Sequence, residues 1–234
     1  MPTPSRFKLR YDLATFYYQP IVLAVRLESL TYIPMHVIGL LGGIASGKSF
    51  VAQRLAALGA DLVNADKIAH QVLRRPEVEQ AARERWGQKI FDPDGRIDRA
   101  SLGRIVFGGG PDADRQRQYL ESITHPLIRE GLQERIEKDR GERKPAVVLD
   151  APLLLEGGWS TLCDILLFVE TPMDLRQARA AERGWGKDEL AIREQTQVSV
   201  DEKRRLADVI IDNAHSPEHT QAQIEHFWRT RVHG

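Results

Sequence analysis

The sequence GGIASGKS spans residues 42–49 and fits the pattern G-x-x-x-x-G-K-[ST] in full. It follows the apolar run VIGLL at residues 37–41 and precedes residues 49–58, where apolar side chains recur at helical spacing. Glycines let a backbone curl until successive N–H groups point at phosphate oxygens, and a helix that follows directs its positive end at the same charge. The stretch therefore predicts a strand, a phosphate-binding loop and a helix.

Individual residues of this loop have predictable contacts. Lys48 should reach the β- and γ-phosphates of a nucleotide, and the hydroxyl of Ser49 should ligate Mg²⁺. Nucleotide contacts are predicted for Gly43, Ile44, Ala45, Ser46, Gly47, Lys48 and Ser49. The loop by itself indicates nucleoside triphosphate binding, which switches, motors and small-molecule kinases share.

The rest of the chain predicts an α/β protein with the three-layer fold of P-loop NTPases. Further apolar runs, each read as a strand, lie at residues 61–65, 146–149, 165–169 and 209–211. Between the second and third of the five strands the sequence is rich in Arg, Glu and Gln and reads as helices. Strands alternating with helices favour a parallel sheet that is covered on both faces.

This pattern predicts how the chain is divided. We expect a P-loop kinase domain over residues 35–234, with its core at 35–65 and 145–234. A helical, acceptor-binding insert is predicted at about 66–135, with turns at 92–95 and 108–111, and a lid at about 176–195. A closing helix is predicted at 217–229.

Composition limits the partners. The chain has 33 Lys and Arg and 33 Asp and Glu residues, so its net charge predicts neither nucleic acid nor membrane as a partner. Its single cysteine, Cys163, cannot form an intramolecular disulfide, and we expect it to be a small buried hydrophobe. These features predict a cytoplasmic protein, and we expect a monomer or a weak homo-oligomer.

The N-terminal extension, residues 1–34, has an uncertain status. Basic residues precede an apolar run at 17–25, as in a signal peptide, but the run is short, contains Pro20 and is followed by Arg26. We expect neither export nor membrane spanning. A translated upstream region, a flexible tail and a weak targeting segment all stay open.

Two aspartates follow predicted strands. Asp150 ends the third strand and is a candidate to hold Mg²⁺ through a water, although a helix cap or a surface aspartate would look the same. Asp66 follows the second strand, at the sheet edge where open α/β sheets bind ligands. It is a candidate to orient an acceptor hydroxyl and take its proton, and the alternative is an N-cap of a helix at 67–73.

From residue 37 to about 227 the chain resembles the dephospho-CoA kinase family. The loop at 42–49 has that family's Gly-Gly-Ile beginning, and Asn64-Ala65-Asp66 is similar to its Asp-Ala-Asp motif. Further similar motifs are His125-Pro126, PLLLE at 152–156, Arg193-x-x-x-Gln197 and ADVIIDN at 207–213. The chain differs in having Leu41 where the family usually has Thr, Asn64 for the first Asp, and Gly184 for an Asp of the lid.

The resemblance implies an activity and the residues that carry it. Members of the family use ATP and Mg²⁺ to phosphorylate the ribose 3′-hydroxyl of dephospho-CoA, giving CoA and ADP in the last step of coenzyme A biosynthesis. Catalytic roles carry over to Asp66, Lys48, Arg179 and Arg183. Acceptor contacts carry over to Asp66, His125, Pro152 and Leu153, and a nucleotide contact to Asn213.

Several of these residues have simpler interpretations. Arg179 and Arg183 could belong to a charged helix that faces water, together with Arg176 and Glu182. His125 could cap a helix before Pro126. Trp86 and Phe91 could line an apolar wall for the acceptor, but buried aromatic residues usually belong to a core.

Other functions also fit a phosphate-binding loop. A phosphotransferase acting on a nucleoside monophosphate or a small alcohol would share the loop and the lid. A GTP-dependent switch would be expected to carry an Asn-Lys-x-Asp motif, which the sequence lacks. A silent scaffold is disfavoured because Lys48, Ser49 and Asp66 are all present.

Overall fold

The computed structural model of the chain describes residues 34–108, 112–186 and 188–233. The predictions for the N-terminal extension and for most of the turn at 108–111 therefore lie outside the described residues.

The described residues form one sheet of five parallel strands, as the sequence predicts. The strands are β1 (His36–Gly42), β2 (Asp61–Asn64), β3 (Ala146–Asp150), β4 (Ile165–Glu170) and β5 (Val209–Asp212). Their order is β2-β3-β1-β4-β5. Strand β1 is central and pairs with β3 on one side and β4 on the other. The loop that follows β1 therefore starts at the carboxyl edge of the sheet, where ligands of open α/β sheets bind.

Helices cover both faces of this sheet. The helices are α1 (Lys48–Ala57), α2 (Ala65–Val72), α3 (Pro76–Trp86), α4 (Arg99–Phe107), α5 (Ala113–Gly141), α6 (Met173–Glu182), α7 (Glu189–Glu194), α8 (Val200–Arg205) and α9 (Pro217–Phe227). Short 3₁₀ helices lie at Gln88–Ile90 and Trp159–Leu162, and a π-helical turn at Trp228–Val232 follows α9.

Alternate strand residues separate two apolar clusters. Val37 and Leu41 of β1 pack in one cluster with residues of α2, α3 and α5. Ile38 and Leu40 pack in the other cluster, with residues of α1 and α9. Because neighbouring strand residues point to opposite faces, one apolar strand supplies both layers. This is the three-layer arrangement predicted for the chain.

Helices α2–α5 lie between β2 and β3, and the described residues there form no strand beyond a single antiparallel bridge between Phe91 and Ile97. A small core holds this region together, with Ala82, Trp86, Ile90, Leu102 and Val106 buried. The indole N–H of Trp86 donates to Gln116 Oε1 at 2.9 Å. Trp86 and Phe91 therefore belong to a core, and the idea that they form an apolar wall for the acceptor is not supported.

Two helices differ from the prediction. Helix α5 continues to Gly141, beyond the limit predicted near residue 135, and Pro126 lies inside it. His125 is consequently an interior residue of α5, so the prediction that it could cap a helix before Pro126 was wrong. Helix α8 was not predicted because it has only 6 residues, although Ser199 caps it by accepting from Glu202 N–H.

Cys163 is partly buried and packs against the apolar cluster that contains Val37. Burial raises the pKa of its thiol to about 12. This agrees with a small hydrophobe rather than a reactive thiol. No helix in the described part of the chain is long and apolar enough to cross a membrane.

Candidate active site

The loop between β1 and α1 adopts a backbone that its glycines permit. Gly42 and Gly47 have φ values of 147° and 94°, in the range that favours glycine, and Ala45 has a φ of 60°. Gly47 is the N-cap residue of α1 and offers no side chain to the first N–H groups of the helix. Those N–H groups and the positive end of α1 are thus directed at the loop, as anion binding requires.

Lys48 folds back over this loop. Its ammonium donates to the carbonyl oxygens of Gly42 at 3.0 Å and Gly43 at 3.1 Å. Burial, reinforced by the positive charge of Lys203, lowers the pKa of Lys48 to about 8, while Asp150 and Glu194 act in the opposite direction. The ammonium is therefore a poorly solvated charge that a phosphate can stabilise.

A buried ion pair supports one side of the loop. The guanidinium of Arg176, which is 3% exposed, donates to Glu194 Oε1. The same carboxylate oxygen accepts from the Ile44 N–H at 3.0 Å. The carboxylate of Glu194 therefore attaches the loop to α7, a contact that sequence patterns did not indicate. The idea that Arg176 faces water was wrong.

Three side chains meet at the carbonyl oxygen of Ser46 on the other side. Thr171 Oγ1 donates to it at 2.8 Å, Asn213 Nδ2 at 2.7 Å and Arg179 Nη1 at 3.1 Å. Arg179 Nη2 also donates to the carbonyl oxygen of Asn213 at 3.2 Å. Arg179 thus supports the loop backbone instead of facing water, and its role over the phosphates stays a prediction.

A cleft of about 680 Å³ opens beside the loop. The predicted residues that line it are Ile44, Ala45, Ser46, Gly47, Lys48, Ser49, Asp66, Asp150, Pro152 and Arg183. Its wall also contains Phe50, Asn64, Trp185, Arg193, Thr196 and Gln197, which were not predicted as site residues. The motif Arg193-x-x-x-Gln197 was a sequence signal for two of them.

The two predicted aspartates line this cleft where two neighbouring strands end: Asp150 is the last residue of β3, and Asp66 follows β2. Strands β2 and β3 pair so that Asn64 lies opposite Asp150. Burial raises the pKa of Asp150, the positive charge of Lys48 lowers it, and the charge of Asp66 raises it again. A turn rather than a helix follows Asp150, which is half-buried, so the helix-cap and surface interpretations of Asp150 were both wrong.

Asp66 is exposed in the first turn of α2. The N-cap of α2 is Asn64, whose Oδ1 accepts from the Lys67 N–H at 3.0 Å. The capping role considered for Asp66 therefore belongs to Asn64, which explains why an uncharged residue is compatible with this position. The carboxylate of Asp66 is left to face the cleft.

The predicted lid contributes an arginine and an aromatic ring. Arg183 is exposed at the C-terminal end of α6. The guanidinium of Arg193 lies 4.3 Å from the ring centroid of Trp185 and pairs with Glu189 at 2.7 Å. Arg183 and Trp185 flank Gly184, where the chain departs from the family pattern.

Two predicted acceptor residues lie outside the described lining of the cleft. The ring of His125 packs edge-on against Trp159, with 5.3 Å between the centroids, and burial lowers its pKa. Leu153 is half-buried in the turn after β3, where its carbonyl oxygen accepts from the Gly157 N–H at 2.8 Å. Acceptor contacts of both residues stay predictions.

A sequence model described as CoaE, dephospho-CoA kinase, matches residues 36–218. The chain belongs to the dephospho-CoA kinase family. This confirms the resemblance that the motifs indicated.

Individual relatives agree with this family. The dephospho-CoA kinase of Symbiobacterium thermophilum is 43% identical over 203 residues, which cover 86% of this chain and 83% of the relative. The dephospho-CoA kinase of Geobacter metallireducens is 42% identical, with coverages of 85% and 98%. Among solved structures, dephospho-CoA kinase from Campylobacter jejuni has a TM-score of 0.64 at 28% identity and covers 85% of this chain and 98% of its own. The protein TT1252 from Thermus thermophilus has a TM-score of 0.70 at 29% identity, with coverages of 84% and 98%.

Proposed function

We propose that this chain transfers the γ-phosphoryl group of ATP to the ribose 3′-hydroxyl of dephospho-CoA in the cleft beside residues 42–49. As a member of its family the chain is an ATP-dependent kinase of coenzyme A biosynthesis, and the proposal concerns the residues that perform the reaction. The observation that carries it is the meeting of the phosphate-binding loop, Asp66, Asp150 and Arg183 around one cleft.

The loop and Lys48 form the phosphate end of the site. The loop N–H groups and the positive end of α1 hold the β- and γ-phosphates. Lys48 exchanges the carbonyl oxygens of Gly42 and Gly43 for phosphate oxygens. Because the phosphates favour the charged ammonium, nucleotide binding raises the lowered pKa of Lys48.

Ser49 and Asp150 are the residues that would hold Mg²⁺. A hydroxyl and a carboxylate in one cleft are the hard oxygen donors that this ion prefers, and Asp150 would act through a water. When bound, Mg²⁺ supplies positive charge to the β- and γ-phosphate oxygens. The negative charge of Asp66 disfavours ionisation of Asp150 by raising its pKa. A cation bound here would offset this effect.

Asp66 forms the acceptor end of the site. Its exposed carboxylate accepts a hydrogen bond from the 3′-hydroxyl and orients the oxygen for in-line attack on the γ-phosphorus. It takes up the proton as the new O–P bond forms and the bond from the γ-phosphorus to the β–γ bridging oxygen breaks, with ADP as the leaving group. Its exposure leaves it accessible to an entering acceptor. Contacts of Pro152, Leu153 and His125 with dephospho-CoA complete this side of the proposal.

Arg183 and Arg179 complete the charge around the transferred group. The exposed guanidinium of Arg183 can move with the lid to neutralise charge on the γ-phosphoryl oxygens, and Arg179 holds the backbone of Ser46 and adds positive charge behind it. Lid closure excludes water that would otherwise hydrolyse ATP. Asn213 lies beside the loop as a nucleotide contact.

The proposal extends to the setting of the enzyme. We place it in the cytoplasm as a monomer or weak homo-oligomer that needs neither nucleic acid nor membrane. Its balanced charge supports this setting.

The experiment is an assay of the purified protein with ATP, Mg²⁺ and dephospho-CoA, in which CoA is followed by mass spectrometry. AMP, CMP and adenosine serve as competing acceptors, and Lys48→Ala serves as the inactive control. We expect CoA to form in preference to the other products and only with Lys48 present. Preferred phosphorylation of another acceptor, or ATP hydrolysis without CoA, would contradict the assignment of dephospho-CoA as the acceptor. The assignment of residues 42–49 as a phosphate-binding loop would be unaffected.

A further inference from the structure

Three metal-ligating side chains come together at the end of β5, outside the described lining of the cleft. They are Asp212, the last residue of β5, His215 in the following loop and His219 in the first turn of α9. One ligand atom from each lies within 4.8 Å of the others. The imidazoles are exposed and the carboxylate is half-buried, so an ion could reach all three.

One pair of ligand atoms in this cluster already has the spacing of a tetrahedral metal site. With metal–ligand distances near 2.0–2.2 Å, neighbouring ligand atoms of a tetrahedral site are about 3.3–3.5 Å apart. Asp212 Oδ2 and His215 Nε2 are already 3.3 Å apart. The rings of His215 and His219 meet edge to face at a centroid distance of 5.1 Å, so a rotation of exposed side chains brings the third atom into range.

Hydrogen bonds hold the carboxylate in place. The N–H of Asp212 donates to Gln223 Oε1 at 3.0 Å, and Gln223 Nε2 donates to the carbonyl oxygen of Asp212 at 2.9 Å. Asp212 Oδ1 accepts from the Ala214 N–H at 2.8 Å, which leaves Oδ2 directed at His215. Because Ser216 caps α9 by accepting from the His219 N–H, the position of His219 in the helix is also set.

We propose that Asp212, His215 and His219 bind one divalent transition-metal ion, with Zn²⁺ as the best match. Two imidazoles and one carboxylate suit zinc, and three protein ligands leave a fourth position for water. This set differs from the all-oxygen set of Ser49 and Asp150, which suits Mg²⁺. The site therefore differs in its residues and its chemistry from the one proposed for catalysis.

The ion would stiffen a loop that supports the phosphate-binding loop. Asn213 lies between the proposed ligands, and its Nδ2 donates to the carbonyl oxygen of Ser46. Its Oδ1 accepts from Thr220 Oγ1 at 3.0 Å, and Thr220 follows His219 in α9. A metal ion bound to both Asp212 and His219 would bridge this segment on its solvent-exposed side. It would therefore restrain Asn213, which holds Ser46.

The test is a Zn²⁺ titration of untagged, chelator-treated protein without nucleotide, in competition with a chromophoric chelator. The variants are Asp212→Asn, His215→Ala and His219→Ala. The matched control is His226→Ala, which removes another exposed histidine of α9. Removing a ligand should weaken binding by at least about tenfold, since even outer-shell partners of metal sites contribute 10–100-fold.

Two further readouts separate a site from surface binding. Zn²⁺ should raise the Tm of the wild type and of His226→Ala but not that of His219→Ala, because only an ion bound to the folded state stabilises it. Amide hydrogen exchange should slow over residues 212–220. Stoichiometric binding that is lost in all three ligand variants supports the site. Binding by the wild type that is no tighter than by His215→Ala or His219→Ala overturns it.

Discussion

The surroundings of the phosphate-binding loop and the helices α2–α5 both contain many charged residues, but they use charge differently. Around the loop the charges are buried: Arg176 pairs with Glu194 with 4% and 18% of their side chains exposed. Glu194 also joins distant parts of the chain, because it accepts from the N–H of Ile44. Lys203, 3% exposed, donates to Gln197 Oε1 at 2.7 Å. In α5 most pairs are exposed and three or four residues apart, as in Arg117 with Asp114. The exception is Arg135, which pairs with the buried Asp139.

This difference indicates which charges the protein depends on. A buried charge that loses its partner keeps the cost of its desolvation, whereas an exposed charge returns to water. The loop motif supplies the groups proposed to bind phosphate, but the loop backbone is held by partners more than a hundred residues away along the chain. Because the helical region has its own small core, we expect it to depend less on its exposed ion pairs.

Asp66 is an exception to this contrast, because it is an exposed residue of α2 that lines the cleft beside the loop. Asp66→Asn removes the group proposed to take the acceptor proton, so kcat should fall by about 10²–10⁴-fold. ATP affinity, measured by calorimetry, should stay near the wild-type value because the loop contacts are unchanged. Asp94→Asn, an exposed aspartate in a turn, is the control, and near-wild-type turnover by Asp66→Asn would rule out the base assignment.

Glu194 tests the buried side of the contrast. Glu194→Gln keeps an oxygen for the Ile44 N–H but leaves Arg176 without its counter-charge. Breaking a buried pair costs about 3 kcal/mol, which for a domain of this size lowers Tm by about 6–12 °C. ATP affinity should fall as well, because the loop loses one of its supports.

Glu189 offers a matched control for that experiment. It lies in the same helix, α7, and also pairs with an arginine, Arg193, but the pair is exposed. Glu189→Gln should therefore leave the unfolding temperature nearly unchanged. Equal losses in the two variants would show that burial does not distinguish the two pairs.

The fold could be predicted because its signals are local. Five short apolar runs predicted five strands, and the glycine-rich loop between β1 and α1 was confirmed in place. Helix α8 was missed because six charged-rich residues carry little periodicity. The predicted helical region ended near residue 135, but α5 continues through Pro126 to Gly141.

The site could be predicted only in part, because only some of its signals are local in the sequence. Asp66 and Asp150 follow strands directly, so their place at the sheet edge is visible in the sequence. Glu194 and Lys203 act through contacts with residues far away in the chain, and a single sequence does not show such pairs. The hydrogen bond from Arg179 to Ser46 could not be predicted either. From the sequence, an arginine in a charged helix is expected to be a lid residue or to face solvent.

Lys48 connects the buried surroundings of the loop to pH. Its pKa is lowered to about 8, so in the free enzyme it loses its proton as the pH rises through 8. Bound phosphate favours the ammonium, so ATP affinity should be constant well below pH 8 and fall above it, by at most about tenfold per pH unit. Titrations from pH 7.5 to 9.5 in buffers of different ionisation enthalpy should show proton uptake on binding. Lys48→Arg, which stays charged, should lose this pH dependence.

Arg117 should show the smallest effect. Its guanidinium pairs with Asp114 at 2.9 Å and lies 3.8 Å from Glu121, both one helical turn away on the surface of α5. Exposed pairs of this kind contribute less than about 1 kcal/mol, because water replaces the lost partner and salt screens the attraction. Arg117→Gln should therefore lower Tm by less than about 4 °C, and that small loss should disappear in high salt. A loss as large as that of Glu194→Gln would mean that the surface pairs of α5 hold the helices together and that its small apolar core does not suffice.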